Sequence, residues 1–182
     1  MRKTKFGVWT ITAVTASMIL ALAPIHRVVA GEGLSAQTLQ ELAQVRRATA
    51  RYHNILNAFA DGYVDVSFVA SGIGCHLVNF EYGFDPAIDL EKPEALVYSD
   101  CSGTAGGRSE LRSVEYSRVC LSPTCDETPL PEGFSGDHDV WEVFPGGFSS
   151  DGMFIPPQWT LHAWIWRHNP DGLFVKVNPA VD

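Results

Sequence analysis

The chain has 182 residues, 46% hydrophobic and 19% charged, with Lys+Arg 13 against Asp+Glu 21 and a formal net charge of −8. That length suits one domain with a short tail. The balance is too apolar for a disordered chain and too polar for a bundle of membrane spans. Sixteen Gly and eleven Pro without a period exclude collagen, and no internal repeat of solenoid or propeller length occurs.

Arg2, Lys3 and Lys5 precede an uncharged stretch from Phe6 to Ile25, followed by His26-Arg27-Val28-Val29-Ala30 and then Gly31. A basic start, an apolar middle and a small residue at the break are the parts of a secretory signal peptide. The expected cut follows Ala30, because Pro24 spoils the earlier site at Ala21-Leu22-Ala23. Residues 1–30 are thus an address and residues 31–182 one exported domain. The competing reading is an uncleaved anchor, since about 20 uncharged residues reach the length of a span. Residues 1–30 carry four basic groups and no acidic ones, which leaves 9 basic against 21 acidic and a formal charge of −12. So acidic a domain repels phosphate backbones and anionic membrane surfaces, which excludes nucleic acid as a partner. The address and the charge together predict a periplasmic or extracellular protein without a membrane span after cleavage.

Thr38-Leu39-Gln40-Glu41 has the form of a capping box. Leu42, Val45, Thr49, Tyr52, Leu56 and Phe59 recur at helical spacing up to Asp61-Gly62, so one long helix is expected from about Ser35 to Ala60. The period then changes. Residues 63–69 read as a short β-rich segment, and Cys75 to Phe80 as a strand with His76, Val78 and Phe80 on one face. Ala95 to Ser99 and Leu111 to Cys120 form two strands around a Gly-rich turn at 102–107. Asp137 to Phe144 suggests a further short strand, and residues 145–157 a loop. Thr160 to His168 alternates, Asn169-Pro170-Asp171-Gly172 turns, and Leu173 to Val177 returns as a hairpin. Strands joined by turns instead of helices argue for an antiparallel sheet. The predicted fold class is α+β: one long N-terminal helix packed on a twisted antiparallel sheet or roll. Nuclear-transport-factor-like and cystatin-like rolls offer an analogy for this order.

Cys75, Cys101, Cys120 and Cys125 all lie beyond the address. An even count in an exported chain points to two disulfides. Cys75–Cys101 with Cys120–Cys125 is the favoured pairing, and Cys101–Cys120 remains open as an alternative because those residues flank a hairpin. No C-x-x-C spacing occurs, so a Cys metal site is disfavoured.

Most catalytic motifs are absent. There is no G-x-S-x-G and no H-E-x-x-H. The 103–109 segment lacks the Lys of a phosphate loop and joins two strands, so it reads as a turn. Histidine remains. His138 and His168 sit in or beside turns, whereas His53 lies on the helix, His76 on an early strand and His162 on a late one. Neutral imidazole is the commonest protein metal ligand. Three histidines on rigid elements form a copper or zinc site with an open position if the fold brings them together. They are separated by 23 and 86 positions, so no local spacing enforces the site. Glu115 is the carboxylate expected beside them, as a supporting or acid/base group. The aromatic residues Trp164, Trp166 and Tyr116 are candidates for a ligand pocket.

Three stretches carry a resemblance: Arg47-Ala48-Thr49-Ala50-Arg51-Tyr52-His53, Gly72-Ile73-Gly74-Cys75-His76-Leu77-Val78-Asn79, and the run from Leu161-His162-Ala163-Trp164-Ile165-Trp166 through Asn169-Pro170-Asp171-Gly172-Leu173-Phe174. With Val114-Glu115-Tyr116, they resemble an uncharacterised family of exported bacterial proteins with G-x-G-x-H and L-H-x-W-x-W…N-P-x-G-x-F motifs. That family often shows an aromatic residue where Cys75 stands here. The resemblance implies export and no known reaction. The expectation is therefore an exported protein binding copper or zinc through His53, His76 and His162. The alternatives are a small-ligand-binding module with a Trp/His-lined pocket and a structural envelope protein.

Overall fold

Ser35 starts the first helix: its hydroxyl accepts from the Thr38 N–H at 3.0 Å, satisfying one of the donors a helix start leaves free. A computed structural model describes residues 33–83, 85, 87–102 and 109–181 of the chain. The expected signal peptide, its cut after Ala30 and residues 103–107 of the Gly-rich turn lie outside the described residues. Thr38 and Glu41 do not close a capping box. The Thr38 hydroxyl donates to the Ser135 carbonyl at 2.5 Å, and Glu41 accepts from the Ser135 N–H at 2.7 Å. The polar residues of this helix start thus tie it to a distant loop.

The long helix is corrected to three pieces: α1 (Ala36–Thr49), a 3-10 turn (Ala50–His53) and α2 (Ile55–Ala60). Asn54 stands between the last two in an extended conformation, and its side chain accepts from the Leu56 N–H. The tighter 3-10 turn shifts the buried stripe by one residue. Leu42, Val45, Thr49 and Tyr52 face inward as expected, but Ile55 and Ala58 then replace Leu56 and Phe59, which are exposed.

The sheet strands are β1 (Val64–Ala70), β2 (Gly74–Val78), β3 (Ala95–Tyr98), β4 (Leu111–Val119), β5 (Glu142–Phe144) and β8 (Gln158–Ala163). These six form an antiparallel sheet in the order β1-β2-β3-β4-β8-β5. The α+β class therefore holds. Phe80, expected at the end of β2, instead opens a one-turn helix, α3 (Phe80–Gly83). The 145–157 loop contains a small hairpin, β6 (Gly147–Phe148) with β7 (Phe154–Ile155). The Gly72-Ile73-Gly74 motif makes the tight β1–β2 turn. Both glycines have positive φ (71° and 132°), and a Cβ on Gly74 would run into the Tyr98 carbonyl.

The C-terminal hairpin is also corrected. β8 ends at Ala163, and residues 173–177 form no strand. The Arg112 carbonyl accepts from both Trp166 and Arg167 N–H groups, and Ile165 bonds back to Ala163, so the chain bends away from ladder geometry. The Asn169-Pro170-Asp171-Gly172 turn does form, with Gly172 N–H to Asn169 C=O at 3.2 Å. Cys75 is bonded to Cys101 and Cys120 to Cys125, the favoured pairing.

The core lies between the helices and one face of the sheet. Leu77, Leu96, Val114, Tyr116 and Leu161 meet Leu42, Val45, Ile55 and Ala58 there. Alternation sends the intervening residues, His76, Ala95, Glu115 and His162, to the opposite face.

Candidate metal centre

Register decides which residues meet on that opposite face. Glu115 of β4 is paired with His162 of β8 on one side and with Ala95 of β3 on the other. Directly paired residues have Cβ atoms about 4.5–5.5 Å apart, so Glu115 and His162 are immediate neighbours. His76 lies one strand further away, on β2, opposite Val97. It must reach Glu115 diagonally across β3, spanning about 9–10 Å of sheet. Ala95 makes this reach feasible, because a methyl group leaves room above the strand between two long side chains.

The side chains converge closely. His76 Nε2 and His162 Nε2 each lie 3.1 Å from Glu115 Oε2. One donor atom from each of the three residues lies within 4.8 Å of the others. All three are buried, His162 to 3% exposure. Burial by itself would push the Glu115 carboxyl up. The neighbouring His162, then His76, override burial and hold it well below the usual carboxylate range. Glu115 is therefore an anion inside the protein.

His76 is held in one tautomer. Its Nδ1 lies 3.1 Å from the Phe68 carbonyl, which can only accept, so Nδ1 carries the proton. In neutral imidazole this leaves the Nε2 lone pair directed at Glu115. His162 Nε2, although close to the same carboxylate oxygen, is out of line for a hydrogen bond and has no other partner. A neutral His76 thus sets a lone pair against an anionic oxygen, which is repulsive, while the His162 nitrogen beside it is unsatisfied. The cluster is electrostatically complete only with positive charge among these atoms, either protons on the rings or a cation between them.

The Phe68 carbonyl is available because β1 is irregular. Asp65 opposes Leu77 and Val69 opposes Cys75, so four steps along β1 match two along β2. Such a bulge frees backbone groups from the ladder and re-aims them. A backbone carbonyl on the far nitrogen of a histidine is the usual support of a metal-ligating imidazole. The Phe68 ring packs edge-on against His76 at 5.3 Å and against Phe144 at 5.7 Å, walling one side.

Above the cluster opens a cavity of about 360 Å³. His76, Glu115 and His162 are part of its lining, with Ser117, Gln158, Thr160 and Lys176 as other polar members. The remainder is mostly aliphatic and aromatic.

Several expected site residues lie elsewhere. His53, on the 3-10 turn, belongs to the helix layer. It is exposed and packs edge-on against Trp166 at 4.3 Å, so the sheet separates it from the cluster. Trp164, Trp166 and Tyr116 do not line the cavity. Tyr116 alternates to the core face, where its hydroxyl donates to the Leu90 carbonyl at 2.7 Å. The Trp166 indole donates to Thr49 Oγ1 and the Trp164 indole to the Val175 carbonyl. Trp164 touches the site through its ring, which stacks on His162 with centroids 6.4 Å apart. Both follow the end of β8, so the alternation that places His162 no longer governs them. A second acid/sulfur cluster, Asp65 with Cys75 and Cys101, has its sulfurs committed to a disulfide.

Sequence reasoning missed the Phe68 carbonyl, the role of Ala95 and the walls from Phe144 and Ile155. Only Ala95 carried a signal, as a small residue at the head of the apolar run Ala95-Leu96-Val97-Tyr98. Comparison with family models, with curated proteins and with solved structures returns no match.

Proposed function

We propose that this chain is an exported protein that holds one transition-metal ion, zinc or copper, between His76 Nε2, His162 Nε2 and the Glu115 carboxylate. The observation that carries the reading is the meeting of two imidazole nitrogens on one buried carboxylate oxygen, each at 3.1 Å. Ligands about 2.0–2.2 Å from a tetrahedral zinc lie roughly 3.3–3.5 Å apart, so a small adjustment brings these atoms to a cation. Two histidines and one carboxylate would leave coordination positions open, and the three residues line the cavity. A metal ion supplies Lewis acidity at such positions. The residues of this chain hold the ion, fix the His76 tautomer through Phe68 and exclude bulk water from the ligands. Export is supported by the basic and apolar start of the chain and by two disulfides, which persist in oxidising compartments. Among the described residues, no helix is long and apolar enough to cross a membrane.

The test is metal content after export and after reconstitution with zinc or copper. One ion per chain is expected, with affinity reduced at least about 100-fold, roughly 2.7 kcal/mol, in His162→Ala and His76→Ala. Thermal unfolding of the metal-free variants separates lost ligation from lost fold. A folded parent protein that retains no metal after dialysis rejects the proposal.

A further inference from the structure

The cavity above the cluster is apolar along most of its wall. Val66, Ile73, Val78, Val119 and Ile155 contribute aliphatic surface, and Phe144 an aromatic side. Its volume of about 360 Å³ falls in the range of small-molecule sites. At about 30 Å³ per water-sized unit, it has room for roughly a dozen non-hydrogen atoms. Phe80 and Phe154 line it while staying partly exposed, at 41% and 58%. The apolar lining therefore runs out to solvent. An apolar body is the occupant such a wall favours, at about 25 cal/mol for each Å² removed from water.

Charge specifies the other end of that occupant. Among the described residues, Glu115 is the sole acidic side chain lining the cavity, against His76, His162 and Lys176. With a divalent ion on the cluster, one carboxylate would leave the floor with one positive charge in excess. Lys176, at the wall, has its own counter-ion in Glu142, at 3.7 Å and outside the cavity lining. Uncompensated charge in an apolar enclosure is costly unless it is paired. A single anionic oxygen donor would complete both the coordination and the charge.

We infer that this site binds an organic carboxylate with an apolar body, its head coordinated to the metal on His76, Glu115 and His162 and its body along the Val66–Val78–Ile155 wall. The inference rests on the metal reading above and names what occupies the open positions. Head and body make separate, additive contributions. A short carboxylate has the head without the body, and a fatty alcohol the reverse. The acidic surface of the whole chain disfavours highly charged ligands, which fits a single anionic head.

The experiment uses the exported protein loaded with cobalt(II), a visible reporter for a zinc-type site. Cobalt content is measured on the same sample. Octanoate, acetate and 1-octanol are titrated while the cobalt absorption is followed. Octanoate is expected to perturb the spectrum at a concentration at least tenfold lower than acetate, and 1-octanol to leave it unchanged. Ile155→Trp, which fills the cavity from β7, outside the sheet that carries the ligands, is expected to weaken octanoate at least tenfold with cobalt content and the acetate response preserved. Equal affinities for octanoate and acetate, or an unaltered octanoate affinity in Ile155→Trp, overturn the inference while the metal site stands. Octanoate binding calorimetrically as tightly to metal-free protein overturns the coordinated head. A parent protein that takes up no cobalt, zinc or copper removes the metal reading and this inference with it.

Discussion

On the helix side of the sheet, Tyr63, Tyr98 and Tyr116 are fully buried. Each donates its hydroxyl to a backbone carbonyl, of Pro93, Tyr52 and Leu90 respectively, at 2.7 Å. On the other side, His76, Glu115 and His162 are also buried, yet two rings share one carboxylate oxygen. The buried glutamates sharpen the contrast. Glu94, just before β3, accepts from the Ser117 N–H, and burial pushes its carboxyl up to about 8. It is thus mainly neutral at pH 7. Glu115, on the neighbouring strand, is held ionised by two histidines. A one-to-one match between buried donors and carbonyl acceptors builds structure and asks for nothing further. A buried anion surrounded by nitrogens is arranged around charge, and that separates a site from a core.

The largest expected effect lies on the helix side. Leu77 is fully buried between β2 neighbours and the helices. Leu77→Ala should cost about 2–5 kcal/mol in denaturant unfolding. Metal stoichiometry of the folded fraction should stay at the parent value. Loss of metal from a still-folded Leu77→Ala protein would show that the two faces are not independent.

The next effect concerns the two glutamates. The folded-state value of Glu94, about 8, lies above its ordinary 4.5. The folded state therefore binds more protons across that window. Its contribution to stability falls as pH rises from 4.5 through 8. Glu94→Gln keeps an acceptor for the Ser117 N–H and removes the charge. The variant should gain about 2–4 kcal/mol over the parent at pH 9 and little below pH 4.5. Urea midpoints across this range measure it, and a parent-to-variant difference that does not grow with pH would contradict a neutral Glu94.

A smaller effect tests the path across β3. Ala95→Leu places a bulky side chain between His76 and Glu115. Metal affinity should fall about tenfold, roughly 1.4 kcal/mol. Ala95→Gly should leave affinity within a factor of about three, since it opens space without blocking it. Equal affinity in Ala95→Leu and parent protein would mean that His76 does not need to cross at that point.

The alternation of β2 and β8 was readable because each strand is short and bounded by turns. It placed His76 and His162 on definable faces, while the Cys75–Cys101 pairing followed from the short loop that Cys120 and Cys125 close across Pro123. Helical periodicity read through residues 50–54 without registering the 3-10 turn. A one-residue phase shift there exposes Leu56 and Phe59 and buries Ile55 and Ala58. The same local break puts His53 in the helix layer, against Trp166. Alternation was also carried too far at the end of β8. Trp164 and Trp166 continue the His162 pattern on paper, but Arg112 captures the Trp166 and Arg167 N–H groups and ends the ladder.

Local chemistry alone determined the strand-rich α+β class, the Gly72-Ile73-Gly74 turn and the histidines on strands, because propensity, turn geometry and two-residue periodicity act between near neighbours. Which histidines meet was decided by the tertiary structure. That choice depends on strand order, on a bulge in β1 that frees the Phe68 carbonyl and on a small residue at position 95. These are relations between segments as far apart as residues 68 and 162, and no spacing along the chain encodes them.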